Sequence, residues 1–195
     1  MELMLIRHAR PHRVELAAGE AADPGLDEVG GAQAGRLAAW LAEESIDALY
    51  SSPLRRALET AKPLADALGL ETVVEDGLAE YDRGLSFYIP LEELRSSGDP
   101  RWEMMMADYW AAEKVDPAAF IETVVMTFER LIESHPGERV VAVCHGGVIN
   151  VYLAHVLGTR DSMFFLPEYT GVARVLASRD GVRSIRSLNE AAHLR

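Results

Sequence analysis

The sequence predicts an α/β fold, a buried sheet covered on both faces. Three observations carry this. Leu3-Met4-Leu5-Ile6 and Val140-Val141-Ala142-Val143-Cys144 are short apolar runs without alternation, the pattern of strands buried on both sides. Each run leads into a histidine: Arg7-His8 follows the first, His145-Gly146-Gly147 the second. Between them lie stretches with apolar residues at helical spacing. In open α/β sheets ligands bind outside the carboxyl ends of the strands, where both histidines would sit. From Leu3 to Val14 there are three Arg, two His and no carboxylate, in a chain of net charge −12. A positive island in an acidic protein points to an anionic ligand such as phosphate.

Each element follows in order. Pro11, Gly19, Pro24 and Gly25 mark residues 11–26 as a loop. Asp27 is an expected N-cap for a helix to about Glu44, with Ala34, Leu37, Ala38 and Leu41 on one face. Ile46 to Tyr50 reads as a short strand. Ser52 and Pro53 suit N-cap and N1 of a second helix, whose stripe runs from Leu54 to Leu68 and stops at Gly69. Pro63 should kink or shorten it. Arg55 and Arg56 lie in its first turn, where the macrodipole disfavours cations. A bound anion would offset that cost for one, while the other is solvated. Thr72-Val73-Val74 is a strand leading to a polar loop with Glu80 and Asp82. Residues 85–115 lack clean periodicity and carry Phe87, Tyr88, Trp102, three Met, Tyr109 and Trp110. They read as an insertion folding over the sheet edge, with short helices. Asp116-Pro117 starts a helix that ends at His135-Pro136-Gly137. After the second buried strand a helix should run from about Val148 to Leu157. Two strands, Val172–Ala177 and Val182–Leu188, close the fold around an Asp180-Gly181 turn.

Composition narrows the classes. The 195 residues, 49% hydrophobic, suffice for a single domain, 1–195, with the insertion. A pI of about 4.9 argues against nucleic-acid and anionic-membrane partners. The single cysteine, Cys144, permits no intrachain disulfide and favours no thiolate metal site. No apolar run approaches a membrane span and no secretory signal is expected, so a cytoplasmic setting is the expectation.

Alone, His8 or His145 would pass for a structural histidine. Together, Arg7-His8, Arg56, Glu80 with Asp82, and His145 with Gly146 contain what phosphoryl chemistry needs. Guanidiniums clamp the equatorial oxygens, a neutral imidazole attacks, a second histidine donates to an oxygen, and a carboxylic acid protonates the leaving group.

These residues resemble the histidine phosphatase superfamily, the phosphoglycerate mutase-like family. The resemblance rests on Leu5-Ile6-Arg7-His8, Gly25-Leu26-Asp27 through Gln33-Ala34, and Ser51-Ser52-Pro53-Leu54-Arg55-Arg56-Ala57 with Thr60-Ala61. Leu78-Ala79-Glu80-Tyr81-Asp82-Arg83-Gly84 and His145-Gly146 complete it. It implies a three-layer α/β/α sandwich on a mainly parallel sheet, with Arg56 rather than Arg55 as phosphate ligand. It implies a metal-independent phosphatase without cofactor. His8 would be the nucleophile, Glu80 the acid, and Arg7, Arg56 and His145 the phosphate-stabilising groups, with Gly146 at the substrate. Asp82 is the competing acid. The substrate would be a small phosphate ester, with inorganic phosphate as the other small partner.

Departures from the family pattern are Ala9, Arg10 and Pro11, where Gly, then Glu or Gln, then Thr or Ser are usual, and Val14 in place of a frequent Asn. Arg10 is the expected replacement for the missing polar contacts and hence a substrate-binding candidate. Mutase members of the family carry a longer insertion and a Glu-Arg pair at the acid. Tyr81 follows Glu80 here, which favours a phosphatase over a mutase. A non-catalytic phospho-ligand binder on the same fold is the remaining alternative, and it would need neither His8 nor Glu80.

Overall fold

The computed structural model describes residues 1–195 except 18, 108–115 and 162, and the side chains at 91 and 104–107 are likewise outside the description. Tyr109 and Trp110 of the expected insertion therefore lie outside the described residues.

The chain forms β1 (Glu2–Arg7), β2 (Val14–Glu15), α1 (Glu28–Leu41), β3 (Ala48–Ser51), α2 (Arg55–Leu68) and β4 (Thr72–Val74). After a 3-10 turn come β5 (Phe87–Tyr88), α3 (Leu91–Ser97), α4 (Pro100–Ala107) and α5 (Pro117–Ser134). β6 (Arg139–Cys144), α6 (Gly146–Leu157), β7 (Val172–Ala177) and β8 (Arg183–Glu190) follow. The main sheet has the order β4-β3-β6-β1-β7-β8. Its first four strands are parallel, β7 runs antiparallel to β1, and β8 antiparallel to β7.

Alternation along the central strands creates the layers. Met4 and Ile6 of β1, with Val141 and Val143 of β6, pack on Leu37, Leu41, Ala57 and Leu64 of α1 and α2. Leu3 and Leu5, with Val140, Ala142 and Cys144, pack on Val124, Phe128, Val148 and Tyr152 of α5 and α6. The result is the expected α/β/α sandwich. An unalternated apolar run is what such a doubly covered strand requires.

Several boundaries differ from expectation. α1 ends at Leu41, and Glu44 instead accepts hydrogen bonds from Arg174 at 2.6 and 2.9 Å. β3 begins at Ala48 rather than Ile46. α2 is continuous through Pro63, held by its buried face of Ala57, Ala61 and Leu64. Its N-cap is Leu54, two residues beyond the expected Ser52, because the Ser52 backbone still follows the sheet, its N donating to the Val143 carbonyl at 2.9 Å. α6 starts at Gly146 rather than Val148. The Asp27 and Asp116 caps form as read: the Asp27 carboxylate accepts from Gly30 N at 2.7 Å, and Asp116 from Ala118 N at 2.9 Å.

Candidate active site

Register brings the chemistry together. Arg7 pairs with Cys144 across β1 and β6, and Ser51 with Val143 across β3 and β6. The next residue on each strand is therefore His8, His145 or Ser52, in a row along one sheet edge. The rings of His8 and His145 have centroids 5.1 Å apart. Both are buried.

His8 Nδ1 lies 2.8 Å from the Ala9 carbonyl oxygen. A carbonyl only accepts, so Nδ1 carries the proton and Nε2 of the neutral ring keeps its lone pair. Ala9 N donates to Thr60 Oγ1 at 2.9 Å, and Thr60 Oγ1 donates to the Arg56 carbonyl at 2.7 Å. The histidine turn is thus tied to the helix that presents Arg56. Burial, then the charges of Arg56 and Arg7, hold the His8 pKa well below the ordinary histidine value.

Ser52 Oγ accepts from Leu54 N at 3.3 Å and lies 2.7 Å from His145 Nε2. The hydroxyl proton has no other acceptor among the described residues, so it goes to Nε2, which leaves the His145 proton on Nδ1. That Nδ1 and the Nε of Arg56 are buried without a hydrogen-bond partner among the described residues. Buried donors are nearly always satisfied, so two such donors beside one neutral imidazole suit an oxyanion. Burial first, then Arg56, keeps His145 neutral as well.

Arg56 is 1% exposed, and its Nη2 donates to both Asp82 oxygens at 2.7 and 3.0 Å. Its guanidinium carbon lies 4.7 Å from the centre of the Tyr88 ring. Arg55, by contrast, is exposed and paired with Glu59. Arg7 Nη1 donates to the Pro167 carbonyl at 2.6 Å and to Glu92 at 3.3 Å, and its guanidinium carbon stands 3.8 Å over the Tyr169 ring. Next to Tyr169, Thr170 has φ +59°, a strained backbone for a β-branched residue. The turn it makes sets Tyr169 beneath Arg7.

Glu80 accepts from Gly147 N at 2.8 Å and from Tyr81 N at 3.2 Å. Any Cβ on Gly147 would overlap this carboxyl, so the start of α6 approaches it as only glycine allows. Burial, reinforced by the neighbouring Asp82 charge, raises the Glu80 pKa to about 7, despite the Gly147 hydrogen bond and Arg56. The carboxyl can both give and take a proton near neutrality. Asp82, bound to Arg56, is occupied as that cation's partner.

One cleft is lined at this edge by Arg7, His8, Arg56, Glu80, Gly146 and Gly147. Five of the seven sequence candidates, Gly146 among them, therefore meet there, and His145 lies directly beside His8. Arg10 does not line the cleft. Its Nε donates to Asp27 at 2.7 Å and its backbone N to Gln33 at 2.9 Å, which ties it to the start of α1. The structure thus sets Arg10, expected at the substrate, beside the start of α1 rather than in that cleft. Ser52, Tyr88 and Tyr169 were not singled out for the site in the sequence. Ser52 carries a partial signal in its family motif, whereas Tyr88 and Tyr169 carry none. No cluster of metal-ligating side chains occurs among the described residues, and none of their helices is long and apolar enough to cross a membrane.

A family model, the histidine phosphatase superfamily (branch 1), matches residues 3–190, and the chain belongs to that family. It is 30% identical over 171 residues to phosphoserine phosphatase 1 of Hydrogenobacter thermophilus, covering 85% of this chain and 80% of that one. It is 30% identical over 203 residues to a bifunctional protein of Mycobacterium tuberculosis, of whose length the match spans 54%, and of this chain 98%. A putative alpha-ribazole-5'-P phosphatase from Escherichia coli shares the fold, with TM-score 0.77 at 22% identity over 97% of each chain.

Proposed function

We propose that the protein hydrolyses small phosphomonoesters through a phosphohistidine on His8. The observation that carries this reading is the pair of buried donors, Arg56 Nε and His145 Nδ1, without partners among the described residues, beside an imidazole whose Nε2 keeps its lone pair. In the first step the Nε2 lone pair forms a bond to phosphorus as the bond to the ester oxygen breaks. Glu80 gives its proton to that leaving oxygen. Arg7, Arg56 and His145 hold the three equatorial oxygens as charge builds on them. In the second step the Glu80 carboxylate takes a proton from water, and the water oxygen attacks phosphorus. The N–P electrons return to Nε2, phosphate leaves, and Glu80 is again protonated. Asp82 orients Arg56, and Gly146 lies at the phosphate through the start of α6. The protein charges do the work that a metal does elsewhere.

The test is phosphate release from a panel of phosphomonoesters by the purified protein, with His8→Ala as control. At least one ester should be turned over, with the activity falling to background in His8→Ala. A panel left intact while one ester binds tightly would make the protein a binder instead.

A further inference from the structure

The reading as a phosphatase leaves open what the ester carries, and the cleft around the phosphate end bears on this. Two segments form its sides. The insertion contributes Leu85, Phe87, Ile89 and Leu94, and the stretch after α6 contributes Met163 and Leu166. Both are fixed in place. Phe87 and Tyr88 pair with Glu15 and Val14 in the two-stranded sheet. Asn150 on α6 donates to the Phe165 carbonyl at 2.9 Å and accepts from Phe165 N at 3.2 Å. The Pro167 carbonyl is held by Arg7.

Beyond the phosphate-end groups, the charged lining residues are Asp82 and Arg101. Asp82 is bound to Arg56. Arg101 donates to Asp99 at 2.6 and 2.9 Å and stands 5.6 Å over the Phe87 ring. Among the described lining residues, no charge is left over to receive an ammonium or a carboxylate on the substrate. A charged leaving group would be desolvated against Leu85, Phe87 and Ile89 without compensation.

A second cleft does carry charge, from Glu92, Arg95 and Glu168. It shares Arg7, Leu166 and Pro167 with the first but does not include Glu80. The leaving oxygen must lie within hydrogen-bond reach of the carboxyl that protonates it. The leaving group therefore enters the apolar cleft, the one that Glu80 lines.

We propose that the site takes phosphate monoesters of uncharged, largely apolar alcohols, with Leu85, Phe87, Ile89, Leu94 and Leu166 binding the leaving group. This rests on the phosphatase reading and adds a substrate class to it. Specificity resides in the insertion and in the stretch after α6, while the phosphate end is indifferent to the alcohol.

The experiment compares n-alkyl phosphates from ethyl to octyl with phosphoserine and glycerol 3-phosphate, all esters of aliphatic alcohols. kcat/KM should rise with chain length, by up to about fourfold per methylene until the cleft is filled. Phosphoserine and glycerol 3-phosphate should fall at least ~10-fold below hexyl phosphate. Phe87→Ala should flatten the dependence on chain length. Calorimetric binding of hexyl phosphate and phosphoserine to His8→Ala reads the same order without turnover. A flat chain-length series, or phosphoserine equal to or better than hexyl phosphate in turnover or binding, would overturn the substrate class and point to Glu92 and Arg95 as recognition groups. Failure of the phosphatase reading looks different: no ester in the series is hydrolysed above the His8→Ala background, and the binding order alone then decides the ligand class.

Discussion

Glu80→Gln is expected to lower kcat for an alkyl phosphate by on the order of 10²–10⁴-fold, the usual worth of a positioned acid–base group. The loss should depend on the leaving group. 4-Nitrophenolate departs without a proton, so its ester should still phosphorylate the variant, in a burst followed by slow turnover. The second step still lacks its base. In the wild type, kcat/KM should fall about tenfold per pH unit above about 7, as Glu80 loses its proton, and this alkaline limb should vanish in the variant. Stability follows the same titration. The folded pKa of Glu80, about 7, lies above the ordinary carboxyl value of 4.5, so the folded state holds a proton that the unfolded chain has released. The contribution is complete below about pH 4.5 and is lost as pH rises through about 7. It amounts to ~3 kcal/mol by linkage. Denaturant unfolding at pH 5 and pH 8 should show a larger loss in the wild type than in Glu80→Gln. Equal losses in both proteins would contradict the buried, protonated carboxyl.

The second large effect falls on Arg56. Arg56→Ala should cost roughly 10³-fold or more in kcat, as expected when a guanidinium is taken from a transferring phosphoryl group. It also leaves the Asp82 carboxylate without its partner, at a cost to stability of ~3 kcal/mol. Arg56→Lys keeps the charge but not the fork, so it should fold with near-native stability and still lose most activity. The two variants separate through His8. After burial, the Arg56 charge is the largest influence holding the His8 ring neutral. In Arg56→Ala the acidic limb of the pH–rate profile should move up toward the ordinary histidine range. In Arg56→Lys it should stay near its wild-type position. An acidic limb that stays put in Arg56→Ala would mean that this guanidinium does not act on His8.

Much of this arrangement was legible because local rules and tertiary packing agree. β1 and β6 end where their apolar runs end, since both strands are covered on two faces and a polar side chain is tolerated only at the edge. Arg56 could also be told from Arg55 by spacing: it lies four residues before Thr60 and eight before Leu64, on the buried face of α2. Ser52 shows the opposite case. Ser-Pro is a strong helix start, but the Ser52 backbone is still paired to Val143 and its hydroxyl also meets His145, a partner 93 residues away, and the helix begins later. Arg10 is a related case: its nearness in sequence to His8 suggested a role at the ligand, but its Nε donates to Asp27, the residue that caps α1. Tyr169 beneath Arg7 and Tyr88 beside Arg56 are long-range aromatic–cation contacts, and no local pattern encodes them. The order of β1 beside β6 is equally a product of the whole sheet.

The most direct test of the central claim uses 32P-labelled 4-nitrophenyl phosphate. The wild type and Glu80→Gln are mixed with it, quenched in alkali, and the protein is examined for bound label. The account predicts label on His8 that survives base and is released by acid, enriched in Glu80→Gln and absent from His8→Ala. An enzyme that turns over while both proteins stay unlabelled, or that carries its label on another residue, would contradict it.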